Sequence, residues 1–321
     1  MTVPRSQLVY LDTTRYYHCV TRCVRRGFLC GYDPHTHKNY EYRRKWIEDR
    51  LFLVASVYCI EICSHAIMHN HYHLVAYVDK EKAMQLTDFE VINRWQILHS
   101  LPTLVKRMVK GELSSKAQLA AARALVVKWR KQLYDLSWFM KEINQYIARK
   151  ANKEDECKGH FWESRFTSQA LLDDKALLAT MSYVDLNPIR AGIAKTPEES
   201  QFTSAHHRII AIQTGQPSLP YFHPFQSEVS GNNTACIPFS LTDYLELIDW
   251  SGRQMKDGKK GKISDALPPI LKRVNIPTNQ WNDITANLER PRAIMVGTKD
   301  RIDEVARMKG RLRGSGYCLP S

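Results

Sequence analysis

Residues 65–78 read HAIMHNHYHLVAYV, a mostly apolar and aromatic stretch interrupted by His65, His69, His71 and His73. A segment built only to fill a core would use Val, Ile or Leu there, because a buried imidazole must find hydrogen-bond partners. These histidines are therefore either satisfied structural groups or ligands. On a strand, residues two apart share a face, which sets His71 beside His73 with Cα atoms ~6.5 Å apart, and two imidazoles so placed can reach one divalent cation. Tyr72 then points to the opposite face. His69 joins the pair only if the strand runs unbroken through Asn70, and His65 reads as structural. His35 and His37 in DPHTHK have the same spacing, but beside Pro34 in a polar loop nothing holds them on one face. Taken alone, the His71/His73 pair stays open between a metal pair and two satisfied core histidines.

More than a hundred residues later, SYVDLNPIRAG supplies a second set. Over residues 173–187 the spacing of Leu177, Met181 and Val184 predicts a helix, capped by Asp173 or Asp174 and stopped by Pro188. Tyr183 and Asn187, at i and i+4, fall together on a different side of it, next to the small residues Ala176 and Thr180. The tyrosine is therefore not simply a core filler. The carboxamide beside it can offer a metal ligand or hold a water.

The elements that would position these groups follow from periodicity. RYYHCVTRCV, residues 15–24, reads as a strand, and residues 41–58 as a helix with Trp46, Ile47, Leu51, Val54 and Tyr58 on one side. CIEICSHAIMH and HYHLVAYV read as two strands joined at His69 and Asn70. Residues 81–135 form a basic, helix-prone insertion broken at Pro102 and Gly111, and residues 136–152 another amphipathic helix. GHFWESRFTSQALL has the composition of one or two strands. The order predicts an α+β fold, a small sandwich with helices on one face of a mainly antiparallel sheet, carrying an inserted helical arm. A division follows at about residue 200. Residues 1–200 hold the site, and 201–321 form a basic accessory extension with one short helix in PFSLTDYLELIDW.

Composition sets the partner class. With 46 Lys and Arg against 33 Asp and Glu, the chain carries +13, which points to a polyanion, nucleic acid before an acidic membrane surface. Residues 253–321 contribute 15 basic and 7 acidic side chains, more than half of that net charge. The longest apolar run, LFLVASVYCI, is too short to span a bilayer, and MTVPRSQLVY lacks a signal core, so a cytoplasmic protein with no membrane partner is expected. The eight cysteines are scattered and read as reduced thiols. Cys19 with Cys23 and Cys59 with Cys63 have a metal-compatible separation but no companion ligands in sequence.

MHNHYHLV, GHFWESRF and YVDLNPIRAG, in that order after a first strand RYYHCVTR, resemble the single-tyrosine HUH transposases, and among them the REP-associated tyrosine transposases. The resemblance covers residues 14–80 and 136–195, and three ordered motifs make it specific. It implies a ferredoxin-like fold, His71 and His73 as ligands of a divalent ion (Mg or Mn), Tyr183 as the nucleophile and Asn187 as a third ligand or metal-adjacent group. The implied substrate is single-stranded DNA bearing hairpin or palindromic repeats. The implied reaction is a strand transfer through a 5′-phosphotyrosine. Two departures stand out: His69 occupies the position usually held by Pro, and the insertion and the tail exceed the compact family core.

The chemistry suits these residue types. A phenol of pKa ~10 is a weak nucleophile at neutral pH, and a neighbouring cation favours its ionised form. Arg15, Arg22, Arg165 and Arg190 are candidate phosphate contacts. Trp162, with Phe161 and Phe166, is a candidate stacking surface for unpaired bases, core packing being the alternative for the two phenylalanines. Two other functions stay in view. One is a catalytically silent DNA- or RNA-binding regulator of the same fold; the other is a zinc hydrolase, which lacks an HExxH helix and leaves Tyr183 without a role. Either a monomer or a homodimer is compatible with the sequence.

Overall fold

The computed structural model describes residues 9–24, 29–33, 37–229, 235–256, 271, 276–288, 293–310, 314 and 316–319. Its first half is the unit β1 (Tyr16–Arg22), a two-residue hairpin of β2 (Tyr32–Asp33) and β3 (Lys38–Asn39), α1 (Arg43–Val57), β4 (Ile60–Ile67) and β5 (His71–Val78). The turn between β4 and β5 falls at residues 68–70, where the Met68 amide donates to the His71 carbonyl. His69 therefore lies outside the strand and exposed, and does not share the face of His71 and His73.

Four short helices make up the insertion: α2 (Lys80–Gln85), α3 (Asp88–Leu98), α4 (Thr103–Val109) and α5 (Lys116–Gln132). Two of the three breaks between them fall at Pro102 and Gly111 as expected, and a third, unexpected one lies at Leu86 and Thr87. Thr87 and Glu90 form a capping box that starts α3. The insertion is not a free arm. Val91, Ile92, Trp95, Val126 and Trp129 are buried in the same core as α1, and Trp95 stacks on Trp129 with ring centroids 5.3 Å apart.

Helix α6 (Leu136–Glu154) packs beside α1, tied to it where the buried Arg43 guanidinium bonds Glu154 and Asp155. β6 (Thr167–Leu171), α7 (Asp174–Asp185) and the single turn α8 (Asn187–Arg190) complete the first two hundred residues. The strands run in the order β4-β5-β1-β6, every neighbour antiparallel, which is the ferredoxin-like arrangement. Tyr17, Cys19, Tyr72 and Leu74 fill the core shared with α1 and α6, while Val75 and Tyr77 face α7.

The sheet does not stop near residue 200. After α9 (Ser204–Thr214) and α10 (Leu241–Lys256) come α11 (Thr278–Asn287), β7 (Met295–Thr298), α12 (Lys299–Met308) and β8 (Tyr317–Leu319). β7 pairs parallel to β6 and β8 parallel to β7, giving a six-stranded sheet. Helix α7 lies between this sheet and α11, so both of its faces are buried and the single apolar stripe expected for it is not what the fold uses. Asp173 caps α7 by accepting from the Ala176 amide. Pro188 does not end a continuous helix as expected; α7 stops at Asp185, and Pro188 opens α8, where its missing N–H costs nothing. Among the described residues no helix is long and apolar enough to cross a membrane. All eight cysteines are free, and neither Cys pair joins a ligand cluster among the described residues.

Candidate functional site

The period-2 reading of β5 puts His71, His73, Val75 and Tyr77 on the face that α7 covers. Register brings further groups to that face. Val20 pairs with His73 and Arg22 with His71, so His18, Val20 and Arg22 of β1 share it, and Gln169 of β6 lies opposite His18. Neither His18 nor Gln169 was singled out from the sequence.

Together they define a proton order. The Gln169 amide donates from Nε2 to the Ala293 carbonyl at 3.0 Å, so its Oε1 accepts from His18 Nδ1 at 2.8 Å. His18 Nε2 is then a lone pair, and accepts from His73 Nδ1 at 3.0 Å. The two rings stack with centroids 5.2 Å apart. His73 Nε2 is left as a bare lone pair, fully buried and without a hydrogen-bond partner. These tautomers are assigned from the network. A donor atom buried in that state is what a metal ligand presents, its other nitrogen held by a neighbour. Burial, reinforced by His71 and His18, holds the His73 imidazolium well below its ordinary pKa, so the ring stays in its neutral, ligating form. His71 repeats the pattern: its Nδ1 donates to the Asn70 side-chain oxygen at 2.6 Å, and Nε2 is the atom that could bind an ion.

Tyr183 sits edge-on to this pair, its ring centroid 5.6 Å from that of His73 and 6.3 Å from that of His18. The Arg190 guanidinium lies 4.2 Å above the phenol ring. It also bonds the Asn187 side-chain oxygen and, at 2.7 Å, the Thr285 carbonyl on α11. Asn187 lies across the α7–α8 break from Tyr183, and its Nδ2 is buried without a partner. Two unsatisfied buried polar atoms, the His73 imidazole nitrogen and the Asn187 carboxamide nitrogen, thus lie in this cluster. The two imidazole nitrogens fit Mn more closely than Mg, which prefers oxygen throughout, while the Asn187 oxygen is taken by Arg190.

Beside the site, Asp185, another residue of the tyrosine motif that sequence reading left without a role, anchors the end of α7. Its carboxylate accepts from Tyr244 Oη at 2.6 Å and from the Ala205 amide at 3.1 Å, anchoring the end of α7 to α10 and α9. Burial raises its pKa to about 6 against those bonds. An aspartate raised above its unfolded value of ~3.9 stabilises the fold fully only below that value, and the contribution is lost as pH rises through about 6. Stability measured by denaturant midpoint is therefore expected to fall between pH 4 and 6 in the wild type and to fall less in Asp185→Asn.

The other sequence candidates divide. Arg22 and Arg190 belong to the pocket, and Arg165 is exposed just ahead of β6, at the His71 end of the sheet. Arg15 is at the far end of β1, ~20 Å along the strand, bound to Tyr77 Oη and Glu81. Trp162 is half-buried, its indole N–H on the Asn144 carbonyl and its ring against Tyr72 on the opposite side of the sheet. Neither of these two is placed to hold a strand at Tyr183. Phe166 is core. His37 is exposed and bonded to Tyr32, and His35 lies outside the described residues.

The His18 relay carries its own expectation. Removing the partner of a ligating imidazole weakens metal affinity by ~10–100-fold. Were His73 to ligate an ion, His18→Ala would weaken the binding of added Mn, read by titration, by that factor, and Gln169→Leu would do so to a lesser degree. Unchanged metal dependence in both would assign the relay to packing alone.

No protein-family model matches the chain, and no curated protein matches it in sequence. Among solved structures, that of a REP-associated tyrosine transposase bound to a REP hairpin is similar at 14% identity, over 73% of this chain and 94% of that one, with a TM-score of 0.38.

Proposed function

We propose that the chain is a metal-dependent transesterase on single-stranded DNA carrying hairpin or palindromic repeats, cleaving it through a 5′-phosphotyrosine at Tyr183. The observation that carries this reading is the buried meeting of a phenol with a bare imidazole lone pair, beneath a guanidinium. His71 and His73 would hold the ion through Nε2, with the Asn187 carboxamide beside them; when bound, a divalent ion neutralises charge on the phosphoryl oxygens. Arg190, over the Tyr183 ring, would favour its phenolate. Attack forms a bond from the tyrosine oxygen to phosphorus and breaks the bond to the 3′-oxygen, which leaves as a 3′-hydroxyl, taking up one proton for the one the phenol lost. A 3′-hydroxyl attacking in turn restores Tyr183. The phosphodiester energy is conserved, so no nucleotide is consumed, in keeping with the lack of a GxxxxGK[ST] loop in the sequence.

A second reading has two observations in its favour. Tyr183 is only 3% exposed, and Arg190 is engaged by α11, as expected of a silent nucleic-acid-binding protein that retains the fold. Incubation with labelled single-stranded hairpin DNA and Mn or Mg separates the two. An SDS-resistant protein–DNA adduct supports the transesterase, salt-sensitive binding without cleavage supports the silent binder, and cleavage without adduct rejects both.

A further inference from the structure

On the other face of the sheet a second group of side chains converges. His65 pairs with Leu74, so its ring points toward α1, away from His73. Glu48 Oε1 on α1 lies 2.7 Å from His207 Nε2 on α9 and 3.4 Å from His65 Nε2. One ligand atom from each of the three lies within 4.8 Å of the others. We propose that Glu48, His65 and His207 form a divalent-metal site of the zinc class, separate from the His71/His73 pocket and clamping α9 to α1 and β4.

Four features support a metal over a plain hydrogen-bonded cluster. The donor set, two imidazole nitrogens and one carboxylate, is one that zinc takes with a fourth position left for water. Its surroundings are apolar: Phe52 meets both imidazoles edge-on at 5.4 and 5.3 Å, and Phe222 lies 6.1 Å from each. The Glu48 carboxylate, buried there between two imidazoles, offers its oxygens to a cation in a low-dielectric setting. His65 is also oriented from behind, since Ser204 Oγ lies 2.8 Å from both its Nδ1 and its backbone amide. In the zinc-bound state His65 would carry its proton on Nδ1, which would donate a hydrogen bond to Ser204 Oγ. Entry is provided by His207, whose side chain is 24% exposed while Glu48 and His65 are buried.

The test uses the full chain, stripped with chelator, equilibrated with Zn²⁺ alone and desalted, with the metal-to-protein ratio read by mass spectrometry. A His71→Ala/His73→Ala variant, lacking the other pocket, is expected to retain about one equivalent and to gain several degrees in Tm from zinc. His207→Ala added to it should remove both effects, and Glu48→Gln should weaken them. Retention of no zinc by the first variant, or undiminished zinc after His207→Ala, would overturn the proposal. If the double variant does not fold, wild type is compared with His207→Ala, where loss of one equivalent supports the site and an unchanged ratio rejects it. Loss of DNA cleavage alone leaves these readouts untouched, so this site and the Tyr183 reading stand or fall separately.

Discussion

Tyr183→Phe is expected to abolish the covalent protein–DNA adduct while the protein still folds and still binds hairpin DNA. The substitution removes one oxygen from a ring otherwise held by contacts that phenylalanine keeps: the edges toward His73 and His18 and the Arg190 guanidinium above it. Its cost in stability should be about 1 kcal/mol or less, the net value of a hydrogen bond. Its cost in rate should be more than about 10³-fold, because the proposed phosphoester bond is made by the oxygen that is removed. The clean separation of those magnitudes makes the experiment decisive. Salt-dependent binding should be unchanged, since a neutral phenol releases no counterions. An adduct that persists would move the nucleophile to another residue and end the Tyr183 reading.

Second in size is the loss expected at the histidine pair. His71→Ala should reduce cleavage by about 10²-fold or more, with partial recovery at raised Mn, because one of two imidazole donors is gone. Because His71 is half-buried at the strand start, the fold should tolerate its removal. His73→Ala should abolish cleavage without recovery. It should also cost roughly 2 kcal/mol of stability, because it empties a fully buried position and leaves His18 Nε2 without its donor. Metal titration distinguishes ligand loss from simple loosening: a structural role lowers the maximum rate, a ligand role shifts the metal concentration required. Equal loss of DNA binding and cleavage in His71→Ala would argue that the ring only supports the strand.

The parts of the site written into single elements were legible. Alternation along β5 is local, so the shared face of His71 and His73 could be read directly, as could the turn that excludes His69. The cap at Asp173 and the breaks of the insertion follow from turn and cap chemistry of the same local kind. Tyr183 was legible as a helix residue, but its surroundings were not. A helix covered on one side and one sandwiched between a sheet and α11 have similar periodicity, and Pro188 starts one turn as readily as it stops another. β7 and β8, four and three residues long, are too short to show a pattern.

What the sequence determined by itself is the α+β succession of the main strands and helices through α7 and the shared face of His71 and His73, because each depends on spacings within one helix or strand. Tertiary structure alone decided which distant groups join them. Register between β1, β5 and β6 set His18 and Gln169 behind His73, and packing of α11 placed Thr285 on Arg190. Docking of α9 brought His207 to Glu48 and His65. These pairings span 17 to 159 residues, and their geometry is set by strand register and helix docking that no local pattern encodes.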